Sequence, residues 1–233
     1  MANFKNSGSV ERISLLKQNY FIDSAKKEIA VILFSGQFAV NGHTLTRKNV
    51  FDDKVTGFFL ANQGACEILV SHHAEFCVIQ SKSNATIELS IINYDQVVTR
   101  QAGVGNFKRT VETVLDKTNG FENLIIGETT KDAGNWSSWP PHKHDTYIPN
   151  VQSEQKEIYL YKFSKPNGFG IQLIYDDDIE EATTNVVVNN SEIKIGKGYH
   201  PVVGSPDSKM YYLWALFGDN NFFKVYSDLV YGD

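Results

Sequence analysis

Short runs of Val, Ile, Phe and Tyr, cut every few residues by glycine or asparagine, set the strongest limit on what this chain can fold into. β-Branched and aromatic runs of this length between turn formers read as strands. Their regular recurrence points to an all-β sandwich or barrel rather than to alternating strands and helices. The pattern predicts strands over 28–34, 37–40, 57–60, 67–70, 74–79 and 86–91, with glycine-bearing turns at Ser35–Gly36 and Asn41–Gly42 making hairpins. One helical stretch is expected near the start, where Val10, Ile13 and Leu16–Lys17 fall at helical spacing. A second series of strands follows Gly103–Asn106, over 109–115, 123–128, 157–163, 168–175, 183–188, 192–195 and 210–217. Two successive β units are therefore expected, 1–110 and 111–233, packed closely with no flexible linker between them.

With 42% hydrophobic and 12% aromatic residues, a chain of 233 residues can bury a sizeable core, which excludes disorder for most of it. The formal charge of −5 argues against a broad nucleic-acid surface, since that needs clustered Lys and Arg. No apolar stretch reaches the roughly 18 residues that crossing a bilayer demands; the best candidate, 29–40, is broken by Ser35, Gly36 and Gln37. The start MANFKNSGSVER has neither the basic beginning nor the apolar stretch of a secretory signal, and Cys66 and Cys77 are too few for a disulfide framework. A soluble cytoplasmic protein with two free thiols is the expectation.

Histidine is scarce, with six in all, yet three sit in an informative arrangement. Trp139-Pro140-Pro141-His142-Lys143-His144-Asp145 places two imidazoles at i and i+2, which on a strand project from one face roughly 6–7 Å apart. Glu157 opens the apolar strand Glu157-Ile158-Tyr159-Leu160-Tyr161, where an inward carboxylate needs a compensating charge that a cation would supply. Gly196-Lys197-Gly198-Tyr199-His200-Pro201 runs a glycine turn into a third histidine. Three imidazoles and one carboxylate form a mixed set suited to zinc, manganese, iron(II), nickel or cobalt. By contrast, His72-His73 points to opposite strand faces and has no such partners, so the first unit is expected to carry no metal. His43 reads as a turn residue, and the acidic stretch from Asp176 to Glu181 lacks the glycine and spacing of a calcium loop.

The order His-x-His, Glu, then Gly-x-Gly-Tyr-His within an all-β half resembles a metal-binding cupin barrel. The stretch from Gly134 to Asp145 closely resembles the signature of the 5-deoxy-glucuronate isomerases, which form one bicupin family with the 5-keto-4-deoxyuronate isomerases. Gly168-Phe169-Gly170-Ile171-Gln172, Gly198-Tyr199-His200-Pro201-Val202 and the stretch from Tyr211 to Gly218 follow in the family's order. Weaker likeness upstream extends coverage to about residue 28. The resemblance implies two cupin-type barrels in tandem, with His142, His144, Glu157 and His200 as ligands of a divalent metal, zinc first and manganese, iron or nickel as alternatives. It also implies an aldose–ketose isomerase of inositol catabolism that takes 5-deoxy-glucuronate to 5-dehydro-2-deoxy-gluconate, works on a small sugar acid and forms a homo-oligomer. Leu173 departs from the pattern, standing where the family is expected to carry an arginine after the glutamine. For such a reaction Lys143, Asp145 and Tyr199 are the catalytic candidates, while Arg109, Gln172 and Tyr212 are the substrate contacts, Arg109 taking the carboxylate. A metal-cupin dioxygenase and a non-catalytic sugar-binding cupin are the alternative readings.

Overall fold

The computed structural model describes residues 8–219 and 222–232. The first sheet is built from β1 (Ser9–Leu16), β2 (Tyr20–Asp23), β3 (Lys27–Val40), β4 (His43–Arg47), β5 (Gly57–Ala61), β6 (Ala65–Leu69), β7 (His73–Lys82) and β8 (Ile87–Ile91). Its path runs β1-β7-β3-β5-β8, with β4 and β6 also on β3, and β2 on β6. The expected helix over Val10–Lys17 is not there. That segment is β1, paired antiparallel with β7 through eight residues in register. Val10 enters the core between the halves, while Ile13 and Leu15 pack on the core of the first half. Long-range pairing thus overrides a local apolar spacing too short to make a stable helix by itself.

Ser35–Gly36 is likewise no turn. The two expected strands merge into the 14-residue β3, and the chain bulges against β7 between Leu33 and Ser35. Gly36 takes φ +90°, and a Cβ there would stand 2.2 Å from the His73 carbonyl oxygen, so the bulge needs glycine. Asn41–Gly42 does close a hairpin, with both residues at positive φ and Val40 opposite His43.

The second half comprises β9 (Val98–Ala102), β10 (Arg109–Leu115), β11 (Leu124–Lys131), β12 (Trp136–Ser137), β13 (His142–Lys143), β14 (Asp145–Ile148) and β15 (Gln152–Glu154). Then follow β16 (Lys156–Phe163), β17 (Phe169–Ile174), β18 (Thr183–Val188), β19 (Glu192–Ile195), β20 (Val202–Gly204), β21 (Met210–Phe217) and β22 (Tyr226–Ser227). One six-stranded sheet has the order β19-β16-β21-β11-β10-β9, and a four-stranded sheet runs β12-β20-β17-β18. The expected division at residue 110 falls inside β10; the two large sheets separate between Ile91 and Val98, and both β9 and β10 belong to the second.

Alternate residues of β3 explain why its apolar run is unbroken. Ile29, Val31 and Leu33 fill the first barrel, whereas Ala30, Ile32 and Phe34 face the second half and join Ile126, Ile158, Leu160, Leu213 and Phe217 in a shared core. Within that core Arg47 of β4 meets Glu128 of β11 in a bidentate pair at 2.8 and 2.7 Å, and Tyr211 donates to the same carboxylate at 2.8 Å. Glu28 on β3 accepts from the backbone N–H groups of Glu122 and Asn123, both at 2.8 Å. Opposite faces of the six-stranded sheet therefore do two jobs. One seals the joint between halves, and the other, carrying Glu157, Tyr159, Tyr212 and Trp214, lines the second barrel.

Candidate metal centre and its cavity

Four segments bring the predicted donors together. His142 lies on β13, which is held by β22; His144 follows it; Glu157 starts β16; and His200 follows the bridge between Tyr175 and Tyr199. One ring nitrogen from each of His142, His144 and His200 lies within 4.8 Å of the others. Glu157 Oε2 is 3.2 Å from His144 Nε2 and 3.3 Å from His200 Nε2. Each Nδ1 is tied to a backbone carbonyl: His142 to Pro140 at 3.3 Å, His144 to Gln155 at 3.1 Å and His200 to Gly198 at 3.0 Å. Bonds of that kind put the proton on Nδ1 and leave Nε2 as the lone-pair donor, as a metal-ligating imidazole requires.

Electrostatics fit the same reading. Burial alone would push the Glu157 carboxyl up, but the imidazoles of His144 and His200 outweigh it and hold the group down at about 2. Burial drives His142 well below the ordinary imidazole range, so it stays neutral. His144 is desolvated too, yet the adjacent Glu157 carboxylate raises it. His200 Nε2 is buried and makes no well-aligned hydrogen bond among the described residues, although Glu157 Oε2 stands 3.3 Å away. An orphaned buried nitrogen costs about 1–3 kcal/mol, and a divalent cation at the common point would satisfy it together with the carboxylate. The donor set therefore fits a metal of the zinc, manganese or iron(II) class.

Beside the donors opens a cavity of about 430 Å³. Arg100, Arg109, Thr129, Ser138, Tyr159, Tyr212 and Trp214 line it along with His142, His144 and Glu157, and Phe223, Lys224 and Val225 of the C-terminal segment close one side. Gly127 makes room for this wall: a Cβ there would stand 2.1 Å from the Trp214 ring. The Trp214 indole in turn donates to Thr129 Oγ1 at 3.1 Å.

Arg109 and Tyr212, two of the expected substrate contacts, both reach this cavity. Gln172 does not. It is fully buried, donates to the carbonyls of His200 (2.5 Å) and Pro201 (3.3 Å), and accepts from the Tyr161 hydroxyl, so it holds the His200 segment instead. The three catalytic candidates also lie off the cavity. Asp145 accepts from the Gly198 N–H at 2.6 Å and from Gln152 at 2.9 Å. Lys143 projects away from the histidines, its ammonium 4.7 Å above the Tyr199 ring. Tyr199 is buried against Tyr175. The correction has one cause: on a strand, neighbours of a ligand point to the opposite face. The same alternation takes Leu173 away from the inward-facing Gln172, so an arginine at that position would not line the cavity. Arg100, which supplies a cation there, went unread because β9 has a polar sequence with no apolar alternation to mark it. Ser138 and Tyr159 were also missed; both sit within motifs already singled out, Tyr159 two residues after Glu157 on the same face.

Comparison with known proteins agrees with this geometry. The sequence profile of the KduI/IolB family matches residues 10–230. Curated relatives named 5-deoxy-glucuronate isomerase include those of Bacillus subtilis strain 168 (32% identical over 219 residues, 90% of this chain and 80% of the relative) and Lacticaseibacillus casei (30% over 200 residues, 82% and 73%). Among solved structures, an IolB-like protein from Salmonella typhimurium LT2 superposes with a TM-score of 0.90 at 22% identity, covering 97% of this chain and 89% of its own. Bacillus subtilis oxalate decarboxylase, described with Mn(II) centres, matches at a TM-score of 0.58 and 12% identity over 96% of this chain and 72% of its own. These two structures are similar to the chain in fold. A profile match over nearly the whole length, together with relatives at up to 32% identity, places the chain in the KduI/IolB family.

Proposed function

We propose that the chain is a metal-dependent aldose–ketose isomerase acting on a deoxy-uronic acid, 5-deoxy-glucuronate to 5-dehydro-2-deoxy-gluconate, in the breakdown of inositol. The observation that carries this reading is a cluster of metal-type donors and two arginines facing one cavity from well-separated strands of the same sheet face. Glu157 is on β16 while Arg109 and Arg100 are on β10 and β9. Three strand spacings separate β16 from β10, roughly 14 Å between backbones, a span that a six-carbon acid and an arginine side chain fill together. The relatives' name supports the substrate, and the family supports the isomerase chemistry.

His142, His144, Glu157 and His200 would hold the metal, zinc first, and when bound it would supply polarisation of the substrate carbonyl. Arg100 and Arg109 take the carboxylate, Arg109 with a fork already steadied by its bond to the Phe107 carbonyl at 3.0 Å. Tyr159 Oη lies 3.1 Å from Ser138 Oγ, and burial keeps the phenol protonated far above its ordinary range. It is therefore a hydrogen-bond donor to a substrate oxygen, with Ser138 behind it. Tyr212, bonded to Ser137, and Trp214 wall off water.

The test is steady-state turnover of 5-deoxy-glucuronate by metal-loaded protein. Arg100→Gln and Arg109→Gln should each raise KM by about 10–100-fold with a smaller change in kcat, the loss of a charge-assisted hydrogen bond. Tyr159→Phe should act mainly on kcat. No turnover by the wild-type protein, or an unchanged KM in both arginine variants, would refute the assignment.

A further inference from the structure

Behind Arg109, on the outer side of the barrel wall, lies a second cleft of about 210 Å³ that the isomerase reading does not use. It sits where β10 begins, β11 ends and β21 is about to start, so three segments distant in sequence converge on it. Lys108, Arg109, Lys131 and Lys209 line it, and Asp132 is the one acidic residue among its walls. That ratio runs against the composition, because the chain as a whole carries a formal charge of −5. We propose that this cleft binds a small, multiply charged oxyanion of the phosphate class.

Like charges gathered around a single carboxylate repel, and a fold tolerates that only where something else offsets it. Among the described residues none of the four cations makes an ion pair with a carboxylate. Lys131 differs from the other three. Its side chain is buried, and its ammonium donates to the carbonyls of Asn135 (2.7 Å) and Val202 (3.0 Å) with no carboxylate in contact. An ammonium carries three donors. Burial first, and then the charge of Arg109, press Lys131 well below the ordinary lysine range, which relieves the repulsion behind the cleft. Arg109 commits one donor to Phe107 and keeps the rest of its fork for a ligand, while Lys108 and Lys209 stand exposed at the rim. The Thr130 hydroxyl adds a neutral donor within the cleft. Arg109 at the base, with Lys108 and Lys209 exposed at the rim, suits three oxygens around one centre better than a flat carboxylate.

Because Arg109 belongs to both cavities, an anion here shares its guanidinium with the metal-side cavity. The site does not depend on which sugar acid the protein isomerises, and its test does not use turnover. Thermal melting of the whole protein is followed against inorganic phosphate, with sodium chloride at matched ionic strength as control. Phosphate should raise the melting temperature in a saturable way that chloride does not reproduce. The double variant Lys108→Gln/Lys209→Gln, altering exposed side chains only, should melt like wild type without phosphate and bind phosphate about tenfold or more weakly, the loss of two charge-assisted contacts. Arg100→Gln, which removes a cation of the metal-side cavity alone, should leave the phosphate response intact. An equal response to chloride, or full phosphate affinity in the double variant, would overturn the proposal. Loss of the response in Arg100→Gln but not in the double variant would assign the anion to the metal-side cavity and overturn it equally.

Discussion

His200 is only as well placed as the side chains that hold its segment. Gln172 grips the carbonyls of His200 and Pro201, and Asp145 takes the Gly198 N–H two residues earlier. Replacing Gln172 by Ala strips a partner from each carbonyl and leaves the buried Tyr161 hydroxyl unpaired. The expected outcome is about 1–3 kcal/mol less stability by denaturant melting and a metal affinity lower by about 10–100-fold in a chelator competition. A stability loss with unchanged metal affinity would reduce Gln172 to packing. At this scale the converging donors were legible because His-x-His, an acid near the head of an apolar strand and Gly-x-Gly-Tyr-His each combine a donor with a local geometry. Lys143, Asp145 and Tyr199 lie off the cavity because closeness in sequence to a donor does not tell which way a strand neighbour points. Gln172 was misread for a related reason: its partners are backbone carbonyls, which leave no mark in the sequence.

Strands distant in sequence meet through charges as well as through the shared core. Glu75 on β7 bonds Lys162 on β16 at 2.5 Å and Arg12 on β1 at 2.9 Å. Partial burial pushes the Glu75 carboxyl up, but the Lys162 ammonium and the Arg12 guanidinium outweigh it and hold it below its ordinary value of 4.5. A carboxyl depressed in the folded state contributes stability that is fully present above its unfolded pKa and is lost as pH falls through the folded one. Between neutral pH and about 5 the contribution should therefore be constant, and below about 4.5 it should fade. Urea melts of wild type and Glu75→Gln at several pH values check this: the two stabilities should converge on acidification, and a gap that stays constant down to pH 3 would contradict the ion pair. At this scale the strands were mostly legible, with Arg109–Leu115, Thr183–Val188, Glu192–Ile195 and Met210–Phe217 at their predicted bounds. The exceptions have physical causes. A glycine bulge imitates a turn at Ser35–Gly36, and β1 owes its conformation to β7 rather than to its own apolar spacing.

Across the whole molecule the two β units act as one body because β3 is buried on both faces and Arg47 reaches across the joint to Glu128. Glu128→Leu would strand a buried guanidinium, at a cost of about 3–5 kcal/mol, whereas Arg47→Met combined with Glu128→Leu should recover most of that loss. Calorimetric melting of the two variants decides it; a double variant as unstable as the single one would mean that the pair is not what holds the joint. Two units of strands could be read from the sequence, but the size of the core they share could not, since a strand buried on both faces looks the same whichever partner covers it. No helix among the described residues is long and apolar enough to cross a membrane. What the second barrel builds, by contrast, comes down to whether His142, His144, Glu157 and His200 close on one ion. Elemental analysis of the purified wild-type protein beside Glu157→Gln and His200→Ala measures that directly. The expected result is close to one equivalent of a divalent transition metal in the wild type and less than about a tenth of it in folded samples of either variant. Wild-type protein free of such metals after metal-supplemented purification, or variants loaded as fully as wild type, would contradict it.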